Sequence, residues 1–424
     1  MKLSSPGKPF RPIYHLLKHR VTAANYAFKS TTPPFIFITL YSDIYQPPPG
    51  PLSLVRHQPL LNQFQHLQPS TTTQLDETPT KMDTLFLTTT PPLDPAWLTY
   101  ESSPEFTANT RPANLTPLEN QTHYATSCRA LTARMTAPFT PFHHLRDIPR
   151  ITLTVPSPLD NHPIPIIKYL PPPSRLPGPN HSPIPVTVLY IHGGGLWIGE
   201  ADSEEFSCLQ IVDFLSSRHR EVEVYSVGYR LMPTYPAQTC LSDCLSAFEF
   251  VRDWKLNHKN GKLVVVGSSS GGELAALVSQ LVSPGEVQGV VLRGPVTSDA
   301  FGGMEYVPER LRKMHTSAWE PSFYNSLLGF MKREVPRDGL ERMPLEAEEE
   351  VLRKLPRTWI QVCTNDAVYS DGVCYAKALE DAGVEVKVDV IKGWPHTFWL
   401  IAPHLERSRE ADRAMLEGLA WVVQ

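Results

Sequence analysis

The 424-residue chain carries 43 acidic and 39 basic side chains, for a formal net charge of −4, and six cysteines. This balance excludes the strong basic field that binds nucleic acid or an anionic membrane surface, and the cysteines show neither a CxxC pair nor a metal-like spacing with histidine. No apolar run reaches the roughly 20 residues that cross a bilayer, so the expected partner is a small or neutral molecule, with a homodimer left open.

Residues 1–81 differ from the remainder. They hold 12 of the 43 prolines and two glycines, with Pro47-Pro48-Pro49, Thr71-Thr72-Thr73 and a glutamine-rich stretch from Gln63 to Gln68. Lacking a sustained apolar period, the segment cannot repay its ordering entropy and is expected to be a disordered extension. Its basic residues, with no acid before Asp43, faintly resemble an organelle transit peptide. Met82 offers an alternative start that leaves every later motif whole. A cytoplasmic setting is the working expectation.

Residues 82–148 turn helical in pieces, at Ala96-Trp97-Leu98 and from Tyr124 to Met135, and are expected to form an N-terminal helical lid segment. Residues 149–424 read as one catalytic domain. Strands are predicted at Ile151 to Val155, Ile164 to Leu170 and Val186 to Ile191. Helix 203–218, strand 222–228, helix 239–256, strand 262–266, helix 271–282 and strand 287–293 then alternate. Such alternation predicts a mainly parallel sheet with helices on both faces. Cys240 and Cys244, one helical turn apart, are expected to be small core residues.

The strand ending at Ile191 runs into His192-Gly193-Gly194-Gly195. Glycines without side chains let backbone N–H groups converge on one atom, as a developing oxyanion requires. The loop lacks the Gly-Lys-Ser/Thr and the spaced G-x-G-x-x-G of phosphate cradles. Further on, Leu263-Val264-Val265-Val266 leads into Gly267-Ser268-Ser269-Ser270-Gly271-Gly272 and then an apolar helical pattern. Strand, sharp turn, helix is the setting of a G-x-S-x-G nucleophile elbow, so Ser269 is the candidate nucleophile.

The segment 299–352, with Trp319, Phe323, Tyr324, Leu327 and Phe330 at helix-compatible spacing, is expected to be a helical lid insertion. Beyond it, the strand from Trp359 ends in Asp366, at the carboxyl edge where parallel sheets place ligand sites. A helix over 370–382 and a strand over 384–391 precede His396. Elbow triads run Ser, acid, His along the chain, which makes Asp366 the candidate acid and His396 the candidate base. Asp371 reads as a helix-start residue worth about 1 kcal/mol or less, and Asp299 is an alternative carboxylate from another strand end.

With these motifs assembled, residues from about 150 to 424 resemble the hormone-sensitive-lipase-like family of α/β-hydrolases. The resemblance rests on His192 to Gly195, Tyr229-Arg230-Leu231-Met232-Pro233 (family YRLAP), Gly267 to Gly272 (family GDSAGG), Asp366 through Asp371-Gly372 (family DPLxDEG), and Gly393-x-x-His396-x-Phe398. It implies an α/β-hydrolase fold, a Ser269, Asp366, His396 triad and an oxyanion hole built from the amides of Gly193, Gly194 and Ser270. Ser268 and Ser270 stand where the family has Asp and Ala, and Ala367-Val368 replace Pro-Leu. Loss of a carboxylate at Ser268 bears on the rigidity of the elbow.

The expected activity is hydrolysis of a small-molecule carboxylic ester through an acyl-enzyme, which requires neither metal nor cofactor. Two alternatives stand beside it. An acyltransferase or cyclising enzyme would use the same triad with another acceptor, and a non-catalytic receptor would use the same fold. Retention of His396 argues against the receptor.

Overall fold

The structure is a computed structural model and describes residues 82–109, 112, 114–173, 184–218, 220–256, 261–324 and 333–424. The extension 1–81 lies outside the described residues, as do Leu327 and Phe330 of the expected lid. Eight strands form one sheet: β1 (Arg150–Pro156), β2 (Pro163–Tyr169), β3 (Val186–Ile191), β4 (Val222–Val227), β5 (Lys262–Ser268), β6 (Gly289–Arg293), β7 (Thr358–Asn365) and β8 (Val386–Pro395). Their order is β1-β2-β4-β3-β5-β6-β7-β8. β2 pairs antiparallel with β1 and β4, and the pairs from β4 through β8 are parallel.

Sequence dictates why the centre is parallel. β3, β5, β6 and β7 are buried almost end to end, as their β-branched, apolar runs require when both faces of a sheet are covered. Helices α1 (Pro95–Glu101), α2 (Pro104–Asn109) and α3 (Pro117–Met135) precede the sheet, and α4 (Glu205–Ser217), α5 (Ala237–Leu256) and α6 (Ser270–Leu281) alternate with its strands. The chain closes with α7 (Glu349–Leu352), α8 (Tyr369–Asp381), α9 (Phe398–Ile401) and α10 (Glu406–Val422). Side chains alternate along β3. Leu189 and Ile191 enter the core beneath α5, α6 and α8, whereas Val188 and Tyr190 enter the core beneath α4 and α10. Cys240 and Cys244 are buried thiols in the first of these cores. No helix among the described residues is long and apolar enough to cross a membrane.

The described part of the insertion between β6 and β7 differs from the expected helical pattern. It consists of single 3-10 turns, among them Glu309–Leu311, Pro321–Phe323, Pro336–Gly339 and Pro344–Glu346, and the one-turn α7. Pro321, Pro336 and Pro344 each open one of these turns and Pro308 caps another, positions where proline's fixed φ and missing N–H are tolerated. Leu311, Phe323, Leu340, Met343, Leu345 and Leu352 enter the main core instead. Phe323 stacks on Tyr369 of α8 with ring centroids 5.9 Å apart, while Trp319 is 54% exposed.

Asp371 also differs from its reading as a simple helix-start residue. It is fully buried, and its Oδ1 accepts the amides of Thr297 (2.9 Å) and Ser298 (2.6 Å). Its Oδ2 lies 3.4 Å from Nε2 of the buried His315, which is 3.1 Å from the Ser298 hydroxyl. The carboxylate therefore ties the insertion to α8. Two charge-assisted bonds at about 1.5 kcal/mol or more each imply that Asp371→Ala lowers stability by about 3 kcal/mol. A urea midpoint shift equivalent to less than about 1 kcal/mol would restore the helix-start reading.

Candidate active site

Ser269 sits between β5 and α6 with φ 52° and ψ −125°, a strained conformation for any residue bearing a side chain. Two close approaches impose it. A Cβ on Gly267 would lie 2.2 Å from the Gly271 carbonyl oxygen, and one on Gly271 would lie 2.1 Å from the Ile191 carbonyl oxygen. Only glycine on either side lets α6 pack so tightly on the strand ends. The Ser269 amide donates to the Arg293 carbonyl at 2.8 Å, which anchors the elbow to β6.

β7 and β8 deliver the other two side chains. His396 Nδ1 donates to Asp366 Oδ2 at 2.6 Å, since an ionised carboxylate can only accept. That tautomer leaves Nε2 as the acceptor facing Ser269 Oγ, 2.8 Å away. The other oxygen, Asp366 Oδ1, accepts the Val368 amide at 3.1 Å. Gly294 leaves room for the imidazole, because a Cβ there would stand 3.2 Å from His396 Cε1. Asp299, the alternative acid, is turned away: it is fully buried and pairs with Arg333 at 2.8 Å.

The chain before β1 buttresses this arrangement. Asp94 N donates to the Gly393 carbonyl at 2.8 Å, and Asn365 Nδ2 donates to the Pro91 carbonyl at 2.8 Å. Trp97 and Tyr100 pack with Trp394, Phe398 and Trp399 around the histidine loop. On the far side of that loop the buried Arg293 guanidinium lies 4.1 Å over the Trp399 ring and 2.9 Å from Asp412. Burial outweighs Arg293 and raises the Asp412 carboxyl above its ordinary range.

The glycine loop is held from several directions. His192 is buried, stacks on Tyr229 with centroids 4.3 Å apart, and has a pKa lowered chiefly by desolvation, so it is neutral. Gln121 of α3 donates to the Trp197 and Met232 carbonyls at 3.0 and 2.9 Å. The Ser270 hydroxyl accepts the Leu196 amide at 3.2 Å, a role beyond that of its own amide. Gly193 N donates to Glu204 Oε1 at 2.7 Å and is not free to receive an oxyanion. The amides of Gly194, Gly195 and Ser270 have no acceptor among the hydrogen bonds of the described residues. Gly195 thus replaces Gly193 in the candidate hole. Neither Glu204 nor Gln121 stood out in the sequence; the missing acid at Ser268 was the only signal that a carboxylate would have to come from elsewhere.

Residues 188–400 match the profile of a family described as alpha/beta hydrolase fold. The FAD-linked oxidoreductase pytB of Aspergillus terreus is 32% identical over 248 residues, 56% of this chain but only 29% of that protein's length. The ethyl acetate hydrolase of Pseudomonas putida is 30% identical over 276 residues, covering 62% of this chain and 78% of that protein. Among solved structures, an esterase of Pyrobaculum calidifontis superposes with a TM-score of 0.58 at 23% identity, covering 77% of this chain and 97% of the esterase. At that identity the likeness speaks for the fold alone, which the sheet order and the elbow already express. On the matched profile and these relatives, the chain belongs to the α/β-hydrolase fold family and, within it, to the carboxylesterase-like hydrolases of the hormone-sensitive-lipase type.

Proposed function

We propose that the chain is a serine carboxylesterase that cleaves small esters through an acyl-enzyme on Ser269. One observation carries the proposal: a single imidazole joins Ser269 Oγ at 2.8 Å to Asp366 Oδ2 at 2.6 Å. In that geometry His396 Nε2 takes the hydroxyl proton as Oγ attacks the ester carbonyl. Asp366 stays ionised and holds Nδ1–H, fixing the tautomer and stabilising the imidazolium. The amides of Gly194, Gly195 and Ser270 receive the oxyanion. His396 then protonates the departing alkoxide, and a water deprotonated by the same nitrogen releases the acid.

Ser269 and His396 are 7% and 4% exposed, so the reacting atoms lie beneath the surface. The name of the Pseudomonas relative, ethyl acetate hydrolase, supports a short acyl group. The expected result of a p-nitrophenyl ester series is a kcat/KM for acetate and butyrate at least about tenfold above that for the dodecanoate. Acyl transfer to an added alcohol with no release to water would move the assignment to a transferase.

A further inference from the structure

We propose that Glu204 is a positioning residue that locks the oxyanion loop onto the nucleophile elbow; this inference rests on the serine esterase reading above. Glu204 is 2% exposed, and among the described residues it forms no ion pair. Its two oxygens instead collect three neutral donors from three separate segments. Oε1 accepts Gly193 N at 2.7 Å and Ser268 Oγ at 2.5 Å, and Oε2 accepts the Tyr190 hydroxyl at 2.5 Å. One donor belongs to the glycine loop, one to the residue before the nucleophile, and one to β3.

A buried carboxylate without a cation is costly, and an apolar side chain of similar volume would serve packing better. What an apolar side chain cannot do is accept all three donors. Glu204 stands at the N-cap position of α4, where the positive end of a 13-residue helix favours its charge. By drawing the Gly193 amide to itself, it fixes the direction of the loop that follows, whose Gly194 and Gly195 amides remain free. The contact is tight: a Cβ on Gly193 would lie 3.2 Å from Ser269 Cβ. A displacement near 1 Å in such a site costs roughly 10²-fold in rate. Ser268 completes the device, because a carboxylate at that position would face Glu204 across a 2.5 Å contact.

The test compares Glu204→Leu, Glu204→Gln and Ser268→Asp on p-nitrophenyl butyrate, with Ser269→Ala as control. Glu204→Leu is expected to lower kcat about tenfold or more with KM within about twofold, short of the 10²–10³ that loss of a direct oxyanion donor costs. Affinity for a trifluoromethyl ketone should fall in step with kcat. Glu204→Gln keeps an acceptor for Gly193 and Ser268 and is expected to retain most of kcat. Ser268→Asp should lose kcat by like-charge repulsion. Unchanged kcat in Glu204→Leu, a change in KM alone, or an active Ser268→Asp would overturn the proposal. If Glu204→Leu does not fold, Glu204→Gln and Ser268→Asp decide: most of kcat kept in the first and lost in the second supports the positioning role, and any other pair of results overturns it. An active Ser269→Ala would instead overturn the esterase reading itself.

Discussion

Ser269→Ala is expected to abolish ester hydrolysis, with a fall in kcat of about 10⁵-fold or more, while the protein stays folded. Removal of the nucleophile from a triad leaves only what the oxyanion hole and substrate binding contribute. The fold should tolerate the change because the glycines at 267 and 271 create the elbow, and the Ser269 amide bond to Arg293 is made by backbone. What disappears is the hydroxyl 2.8 Å from His396 Nε2. Near-native CD and a melting temperature within a few degrees of the parent would separate lost chemistry from lost structure.

Asp366→Asn is expected to cost about 10⁴-fold in kcat. An asparagine can turn its amide N–H toward Nδ1 and hold the opposite tautomer, leaving Nε2–H pointed at Ser269 and unable to take its proton. The variant should keep its stability, since the neighbouring bond from the Val368 amide needs only an acceptor. Asp371→Ala should show the reverse pattern, a large loss of stability and a smaller effect on kcat of the folded fraction. Stopped-flow kinetics at saturating ester, set beside urea titration of both variants, reads the two effects independently. The opposite ranking would move the acid to another residue.

These two aspartates show what a sequence of this sort makes legible. Period and turn chemistry are local, so β3 to β7, the flanking helices and the elbow at Ser269 could be read from residues a few positions apart. Asp366 and His396 could be singled out as candidates because each directly follows a strand end on the same edge of a parallel sheet. Asp371 was misjudged because its partners, Thr297 and Ser298, lie 74 and 73 positions away. Glu204 reaches Ser268 across 64 positions, and Asn365 reaches Pro91 across 274; nothing in either neighbourhood announces the contact. Pro91, Asp94 and Trp97, in the segment read as lid, hold the acid and histidine loops through contacts of this long-range kind. The described part of the insertion before β7 differs from its reading for another reason. Aromatics at helical spacing suggested a helix, but the described ones, Trp319, Phe323 and Tyr324, lie in or beside 3-10 turns around Pro321.

The central claim is that Ser269 is the atom donor to a covalent acyl-enzyme. Incubation with a fluorophosphonate, followed by intact-mass measurement and peptide mapping, tests it most directly. The expected result is one adduct per chain on the peptide containing Gly267 to Gly272, localised to Ser269 Oγ, absent from Ser269→Ala and formed far more slowly in Asp366→Asn. Failure of the parent protein to label, or an adduct on Ser268, Ser270 or any other side chain with Ser269 unmodified, would contradict it.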